Sequence, residues 1–402
     1  MKKRLTLLII GMVVASYFSK LYAQQLVIDS LRLVLQKEKD VEKRIGLYEA
    51  ITKEVKEMNL EAAKKYVDTL ETMATQANSL LGKAKVLNLR GTILKEEGHL
   101  EEAMPLFRQD LTIRQRLNDQ KGMGQAYNSI GAIYAEQYKP DSAIFYYLKM
   151  VSIYEELKEY SNIASAYSNI GSLYSDQKAH DKAIEYLEKA LKIRLEHGEE
   201  KKTMYTYNNL AVAYGTTGTK ESVEKALEYS KKGIAVALKY DNKFVAGVIE
   251  GGVCHLLNEQ QRYTEAIPYC EQSVQRLEET NRITNQVFPL VNLATAYNAL
   301  NQPAEALKYA EKGYAIMREK NLVDPLEVYY EELANANEKL GNHKQALYWF
   351  KQFMVLDDSL FKADNVKNLA DVETKYQTVQ KEKELITQKA QIFQQRTWLL
   401  AL

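Results

Sequence analysis

Apolar and small residues return along this chain at helical spacing, nested inside a longer period. An alanine marks one register at Ala63, Ala103, Ala143, Ala183, Ala226, Ala266, Ala306 and Ala346, with successive members 40 residues apart except for one step of 43 between Ala183 and Ala226. Twelve positions before the alanine stands a small residue, as at Gly91, Gly131, Gly171 and Ala294. Three positions after that small residue comes a bulky one, as at Leu94, Tyr134, Tyr174 and Tyr297. A stripe of small side chains beside a stripe of large ones lets a second helix approach closely and interlock. The pattern predicts a helix, a short turn and an antiparallel helix, copied about eight times. Turn-prone segments separate the paired helices: Tyr138-Lys139-Pro140-Asp141, Gln177-Lys178-Ala179-His180-Asp181 and Leu300-Asn301-Gln302-Pro303. In these, proline or an N-cap aspartate is expected to stop one helix and open the next.

Between copies lie polar loops such as Leu117-Asn118-Asp119-Gln120-Lys121-Gly122. The glycine-containing stretch Gly215-Thr216-Thr217-Gly218-Thr219-Lys220 follows a helix rather than a strand and lacks the spacing of a phosphate loop, so it reads as a three-residue insertion in the fifth copy's turn. A length of 402 would ordinarily suggest two or three domains, but tandem units that each touch only their neighbours form one continuous core. The 54 basic and 53 acidic residues are interleaved and the net charge is +1, which gives no electrostatic case for nucleic acid. Tyrosine is the abundant aromatic, at 28, and many tyrosines occupy the interlocking positions, which assigns them to packing.

The segments Ala126-Tyr127-Asn128-Ser129-Ile130-Gly131-Ala132-Ile133-Tyr134, followed by Ala143 and Tyr147, and Ala166-Tyr167-Ser168-Asn169-Ile170-Gly171-Ser172-Leu173-Tyr174, followed by Ala183 and Ala190, resemble the tetratricopeptide repeat. The usual period of that repeat is about 34 residues, so a step of 40 is similar to its long-helix form. The resemblance implies an all-α, right-handed superhelical solenoid of antiparallel helix pairs over residues 24–360. Ile51, where a small residue is expected, and Phe353, where alanine is preferred, fit terminal copies that cap the stack.

Residues 1–23 read differently. Lys2-Lys3-Arg4, an apolar run from Leu5 to Val14 and a polar stretch ending in Leu21-Tyr22-Ala23 form a secretory signal peptide, with an uncleaved anchor as the alternative. From Asn365 the apolar positions Leu369, Val372, Tyr376, Val379, Ile386, Ala390 and Phe393 follow steps of three and four, broken only at Lys383. That is the period of a coiled coil over 361–396; a capping helix folded back on the last copy is the alternative. Arg396, Trp398 and the leucines after it, residues 397–402, look like the start of a membrane span that the sequence does not complete.

This order of parts, with Ala370-Asp371-Val372-Glu373-Thr374-Lys375-Tyr376 leading into the Lys/Glu-rich helix, resembles the extracytoplasmic input half of tetratricopeptide sensor histidine kinases. Similar halves occur in membrane-tethered helix-turn-helix regulators. The resemblance implies a periplasmic array tethered to the inner membrane near Trp398, a homodimer through the C-terminal helix, and a protein or peptide ligand in the concave groove. A free-standing periplasmic scaffold for protein complexes is the alternative.

No enzyme motif, cofactor site or metal site is expected. His99, His180 and His343 fall near turns and His197 lies between copies, none with a second ligand at metal spacing or a nearby nucleophile. In the family the first helix of each pair lines the groove, where Asn88, Asn128, Ser168 and Asn208 share the position three before the small residue. Such amides and hydroxyls can donate to and accept from an extended peptide backbone, or can satisfy the helices' own backbone. Ser172, Ser175 and His255 lie on the same side, and no row of lysine or arginine forms a clamp for acidic peptides. Cys254 and Cys270 fall at the same level of the sixth pair, which suits a disulfide in an oxidising compartment, or two small buried thiols.

Overall fold

The computed structural model describes residues 25–56 and 58–356, with the isolated helical positions Lys381, Leu385 and Gln388. The expected signal peptide, the remainder of the heptad segment and the residues from Arg396 onward lie outside the described residues. Among those described, every regular element is a helix.

Helix α1 spans residues 25–37. Antiparallel pairs follow: α2 (Val41–Lys56) with α3 (Leu60–Gln76), α4 (Leu80–Glu96) with α5 (Leu100–Arg116), α6 (Gln120–Glu136) with α7 (Pro140–Glu156), and α8 (Tyr160–Asp176) with α9 (His180–Glu196). Then come α10 (Glu200–Gly215) with α11 (Lys220–Lys239), α12 (Lys243–Glu259) with α13 (Tyr263–Glu279), α14 (Val287–Ala299) with α15 (Pro303–Lys320), and α16 (Leu326–Lys339) with α17 (His343–Leu356). A 3-10 turn, Ile283–Gln286, precedes α14. The even-numbered helices are the A helices of the pairs and the odd-numbered ones the B helices. The chain divides into two compact units, one ending at Val236 and one starting at Ala237.

The turns explain the period. A left-handed residue ends successive helices at Asn78, Gly98, Asn118, Tyr138, Lys158, Lys178, Gly198 and Gly218, then at Asp241, Gln261, Asn281, Asn301, Asn321 and Gly341. Within each series the step is 20 residues. The next residue's N–H reaches back to the carbonyl five positions earlier, as from Ser79 to Ala74 (2.9 Å), His99 to Leu94 (2.8 Å) and Asp119 to Arg114 (2.9 Å). This closes the helix with a Schellman-type bond. Turns within and between repeats are thus alike, and two such steps make the 40-residue repeat.

Three expectations about these turns need correction. Asp141 and Asp181 are not N-caps: helices α7 and α9 begin one residue earlier, at Pro140 and His180, and the caps Lys139 and Ala179 make no side-chain bond. Both aspartates sit inside the first turn, where the helix dipole favours a negative charge. The loop expected from Leu117 to Gly122 is shorter, because Asp119 accepts from the Gly122 N–H (2.9 Å) and α6 already starts at Gln120. The three extra residues of the fifth copy do not lengthen its turn. Gly218 still lies one regular step after Gly198, and α11 has 20 residues where α9 has 17.

One contact recurs at the heart of the pairs, between the small residue of the A helix and the residue sixteen positions later on the B helix. A Cβ on Gly91 would meet the Phe107 ring at 2.8 Å, one on Gly131 the Tyr147 ring at 2.9 Å, and one on Gly171 the Leu187 side chain at 2.6 Å. The larger partner is not universal: Ala294 faces the position of Ala310, and both are fully buried, whereas Ala334 shares a cluster with Phe350. Cys254 and Cys270 hold these same two positions in α12 and α13, and their sulfurs are joined, with Cα atoms 5.2 Å apart. That separation falls in the roughly 4.4–6.8 Å range a disulfide spans. At the first pair, Ile51 and Val67 share a cluster with Ile28 of α1, so α1 covers the apolar end of the stack.

A second contact ties one pair to the next, eleven positions after the ladder alanine. Arg114, on α5, pairs with buried Asp110 (2.6 Å) and with Asp119 (2.7 Å) at the entry to α6, while the Asn88 amide donates to Asp110 (3.1 Å). Burial pushes the Asp110 carboxyl above its ordinary value in spite of Arg114. On α7 the same register holds Tyr154, whose hydroxyl donates instead within its own pair, to the Lys121 carbonyl (3.2 Å). Arg194 donates to the Lys202 carbonyl (3.3 Å) and to Thr206. Its Nε is buried without a partner, because Ala190 stands where α5 has Asp110.

Two outcomes follow from the within-pair contact. Gly131→Leu drives a side chain into Tyr147 and is expected to cost about 1–3 kcal/mol, whereas in a Tyr147→Ala background the same change fills the cavity and costs less. A double-mutant cycle by urea denaturation reads the coupling; additive costs would mean the two residues do not share one space. Reducing the Cys254–Cys270 bond should remove about 3 kcal/mol of loop-closure stabilisation from the second unit. Thiol titration of the native oxidised protein, with denaturation curves with and without reductant, checks this, and two titratable thiols would contradict it.

Candidate functional site

The A helices present a face that the B helices do not cover. On each, the residues six and three positions before the small residue and the one just after it fall on one side by helical spacing. In the first unit the six-before position holds Lys85, Gln125, Ser165 and Tyr205; in the second it holds Val248, Phe288 and Val328. Tyr205 is 50% exposed, Val248 39% and Phe288 50%, and Val212, just after the small residue of α10, is 50% exposed. This row was missed in the sequence, although the same count from the small residue finds it.

Neighbouring A helices are tied along this face by polar contacts at a fixed spacing. Asn209 donates to the Ser172 hydroxyl (3.2 Å), His255 Nδ1 lies 3.4 Å from Asn292 Oδ1, and the Thr295 hydroxyl donates to Glu332 (2.7 Å). Each pair is 37 residues apart. Two amides brace the same junctions in the second unit: Asn258 donates to the Asn292 carbonyl (2.8 Å), and Asn298 to the Glu332 carboxylate (2.6 Å) and carbonyl (3.1 Å). In the first unit Lys85 reaches Glu49 of the preceding A helix at 2.9 Å.

The expected groove residues take different places. Asn88 is half-buried and turned toward Asp110 of its own pair. Asn128 is half-buried with no side-chain hydrogen bond among the described residues. Ser168 is 8% exposed and its hydroxyl has no partner, so this rung is not open to solvent. Ser172 donates to the Ser168 carbonyl (3.1 Å) as well as accepting from Asn209. Asn208 only approaches Asn209 Oδ1, at 3.5 Å, and His255 is exposed. Ser172 and His255 thus belong to the helix-to-helix contacts, while Asn128 and Asn208 leave amide capacity unused.

The tyrosines form a separate layer toward the B helices. Tyr134 stacks on Tyr146, Tyr174 on Tyr186, Tyr214 on Tyr229 and Tyr297 on Tyr309, with centroids 5.5–5.6 Å apart. Lys189 and Lys232 lie over Tyr186 and Tyr229 at 4.9 and 5.2 Å. These rings spend their faces on one another and on lysines. Among the described residues no group of three His, Cys, Asp or Glu is placed to hold a metal ion. No helix there is long and apolar enough to cross a membrane.

The family model of the tetratricopeptide repeat matches residues 162–239 and 246–319. Over those residues the helix pairs are tetratricopeptide repeats. Solved structures of similar fold include the apo form of RapI, with a TM-score of 0.53 and 16% identity, covering 69% of this chain and 98% of that one. A Rap protein complexed with competence and sporulation factor gives 0.52 and 14%, covering 89% and 99%. A signal transduction ATPase with numerous domains and a tetratricopeptide repeat sensor, from Pyrococcus horikoshii, gives 0.53 and 15%; 81% of this chain covers 49% of that one, about half its length. At such identities these likenesses show the fold alone. No curated protein matches the chain.

Among the groups on the A face, Glu332 carries a pH dependence. Burial raises its carboxyl above the ordinary 4.5, against the hydrogen bonds from Asn298 and Thr295. Glu331 beside it raises it further, and Lys339 lowers it. The folded chain therefore holds this proton more tightly than the unfolded chain does. Its contribution is fully present below the unfolded value and is lost as pH rises through the folded one. Glu332→Gln is expected to be more stable than the parent at pH 8 and no more stable near pH 4, as read by urea denaturation; an equal difference at both would remove Glu332 as the cause.

Proposed function

We propose that this tetratricopeptide array binds a protein or peptide segment along its A-helix face and serves as the extracytoplasmic input of a membrane-bound signal-transduction protein. The observation that carries the binding reading is the solvent-facing Tyr205 and Val212 in the first unit and, in the second, Val248 and Phe288, with Tyr205, Val248 and Phe288 at the same position of their helices. Folding does not need these side chains exposed, and the packing of each pair is complete without them. Apolar and aromatic groups beside unspent amides such as Asn128 and Asn208 are what an extended peptide uses, the rings for its side chains and the amides for its backbone.

Two proteins of similar fold point the same way. One Rap protein is complexed with competence and sporulation factor, and the Pyrococcus protein carries its repeats as a sensor. For the present chain, periplasmic location and input role rest on the basic-then-apolar start of residues 1–23 and on the heptad pattern from Leu369 to Phe393. A two-helix seam there would let a ligand that prefers one arrangement of two arrays shift their equilibrium, by no more than its difference in affinity for the two.

Two measurements test this. Peptides selected from a random library on the 402-residue chain should lose about tenfold or more in affinity, roughly 1.4 kcal/mol, in a Tyr205→Ala/Asn208→Ala variant whose melting temperature is unchanged. Sedimentation should show a weak dimer that disappears when residues after 362 are removed, the repeats still melting normally. A library yielding no binder defeats the binding reading, and a monomer at high concentration defeats the coupled-sensor reading.

A further inference from the structure

The second unit's A face differs from the first's at a place where register makes them comparable. In the first unit, the residue two before the small position and the residue six before it on the next A helix meet as the ion pair Glu49–Lys85, 36 residues apart. The pair at that spacing on α12 and α14 is Gly252 and Phe288. A Cβ added to Gly252 would meet nothing within 4 Å, and the residue is exposed. Glycine weakens a helix interior, and unlike Gly131 this one gains no close packing in return. The result is bare backbone one turn after the exposed Val248 and, by register, at the level of the exposed Phe288 on the next A helix.

The next A helix adds charge. Glu327 and Glu331 lie one turn apart on α16, both exposed, beside Val328 of the apolar row. Neither has an ion-pair partner among the described residues. Elsewhere exposed glutamates are commonly matched by a lysine three or four positions on, as Glu185 is by Lys189 and Glu228 by Lys232. Like charges at this spacing repel, and desolvation together with Glu327 raises the Glu331 carboxyl above its ordinary value. A cation arriving from outside relieves both.

We propose that the α12–α14–α16 face takes an extended peptide of apolar and basic character: an apolar side chain seats over Gly252 between Val248 and Phe288, and a lysine or arginine pairs with Glu327 and Glu331. Neighbouring helices lie about 8–10 Å apart and an extended chain advances about 3.3 Å per residue. The basic residue therefore sits about three to six positions from the apolar one. This rests on the peptide-binding reading above and adds the ligand's chemistry and place.

A phage-displayed random peptide library panned on the full 402-residue chain tests it, with the enriched peptides then synthesised and titrated. Expected are sequences pairing Leu, Ile or an aromatic with Lys or Arg at that separation. Their affinity should fall at least tenfold for Gly252→Leu, which fills the notch, and for Glu327→Gln/Glu331→Gln, and should weaken with salt in the parent but not in the glutamine variant. Both variants change exposed positions, and circular dichroism melts verify their folding. Binders that are acidic, or that respond to Tyr205→Ala/Asn208→Ala but to neither of these variants, overturn the proposal while leaving peptide binding in place. No enriched peptide at all overturns both.

Discussion

The distance between the two helices of a pair is set by one contact, the residue twelve before the ladder alanine against the one four after it. Close approach requires that whatever stands at the two positions fill the space between the helices without overlap, because cores packed to crystal-like density tolerate neither a void nor an extra methylene. Glycine at 91, 131 and 171 is answered by Phe107, Tyr147 and Leu187, and two cysteines of middling size sit at 254 and 270. The disulfide is thus a member of the steric series, placed where two medium side chains already had to touch. The ladder alanines Ala103, Ala143 and Ala183 are buried for the same reason: any larger group there would spread the pair.

With pairs fixed this way, what varies is how one pair meets the next. Arg114 shows a closed solution, a buried cation held by Asp110 and Asp119, with Asn88 occupying the remaining carboxylate oxygen. Arg194 shows the same reach without the carboxylate, and burial lowers its pKa accordingly. Breaking a buried pair by removing one partner typically costs about 3–5 kcal/mol. The α9–α10 junction tolerates the loss because the guanidinium still finds Thr206 and the Lys202 carbonyl. The second unit adds amides between its A helices: Asn258 donates to the Asn292 carbonyl, and Asn298 to the carbonyl and carboxylate of Glu332.

Much of this was legible in the sequence and some was not, for physical reasons. The alanine and small-residue registers are readable because helix packing demands size at a fixed position. The level of Cys254 and Cys270 was readable because antiparallel helices bring equal distances from a turn together. The left-handed turn residue was hidden. Asn78, Gly98, Tyr138, Lys158 and Gln261 all adopt it, since a closed Schellman bond compensates a modest backbone penalty and so admits many side chains. The insertion was misplaced in the turn because Gly215 and Gly218 look like loop residues, whereas a helix absorbs three residues without any compositional mark. Asn88 was assigned to the groove because nothing in the sequence says that Asp110, on the partner helix, is buried and needs a donor.

The row six positions before the small residue was hidden for the opposite reason. Lys85, Gln125, Ser165, Tyr205, Val248, Phe288 and Val328 share a register and no chemistry, as positions free of packing constraints do. That lack of constraint makes the row informative once the fold is known. A buried tyrosine such as Tyr147 is accounted for by its glycine partner, but Phe288 leaves 50% of its surface open to solvent. Gly252 argues more strongly still. A glycine within a helix costs about 1 kcal/mol relative to alanine, and at Gly131 the close approach of Tyr147 offsets it, while at Gly252 nothing among the described residues does. An open glycine on α12 and a half-exposed ring at the matching level of α14 are what the proposed peptide contact accounts for.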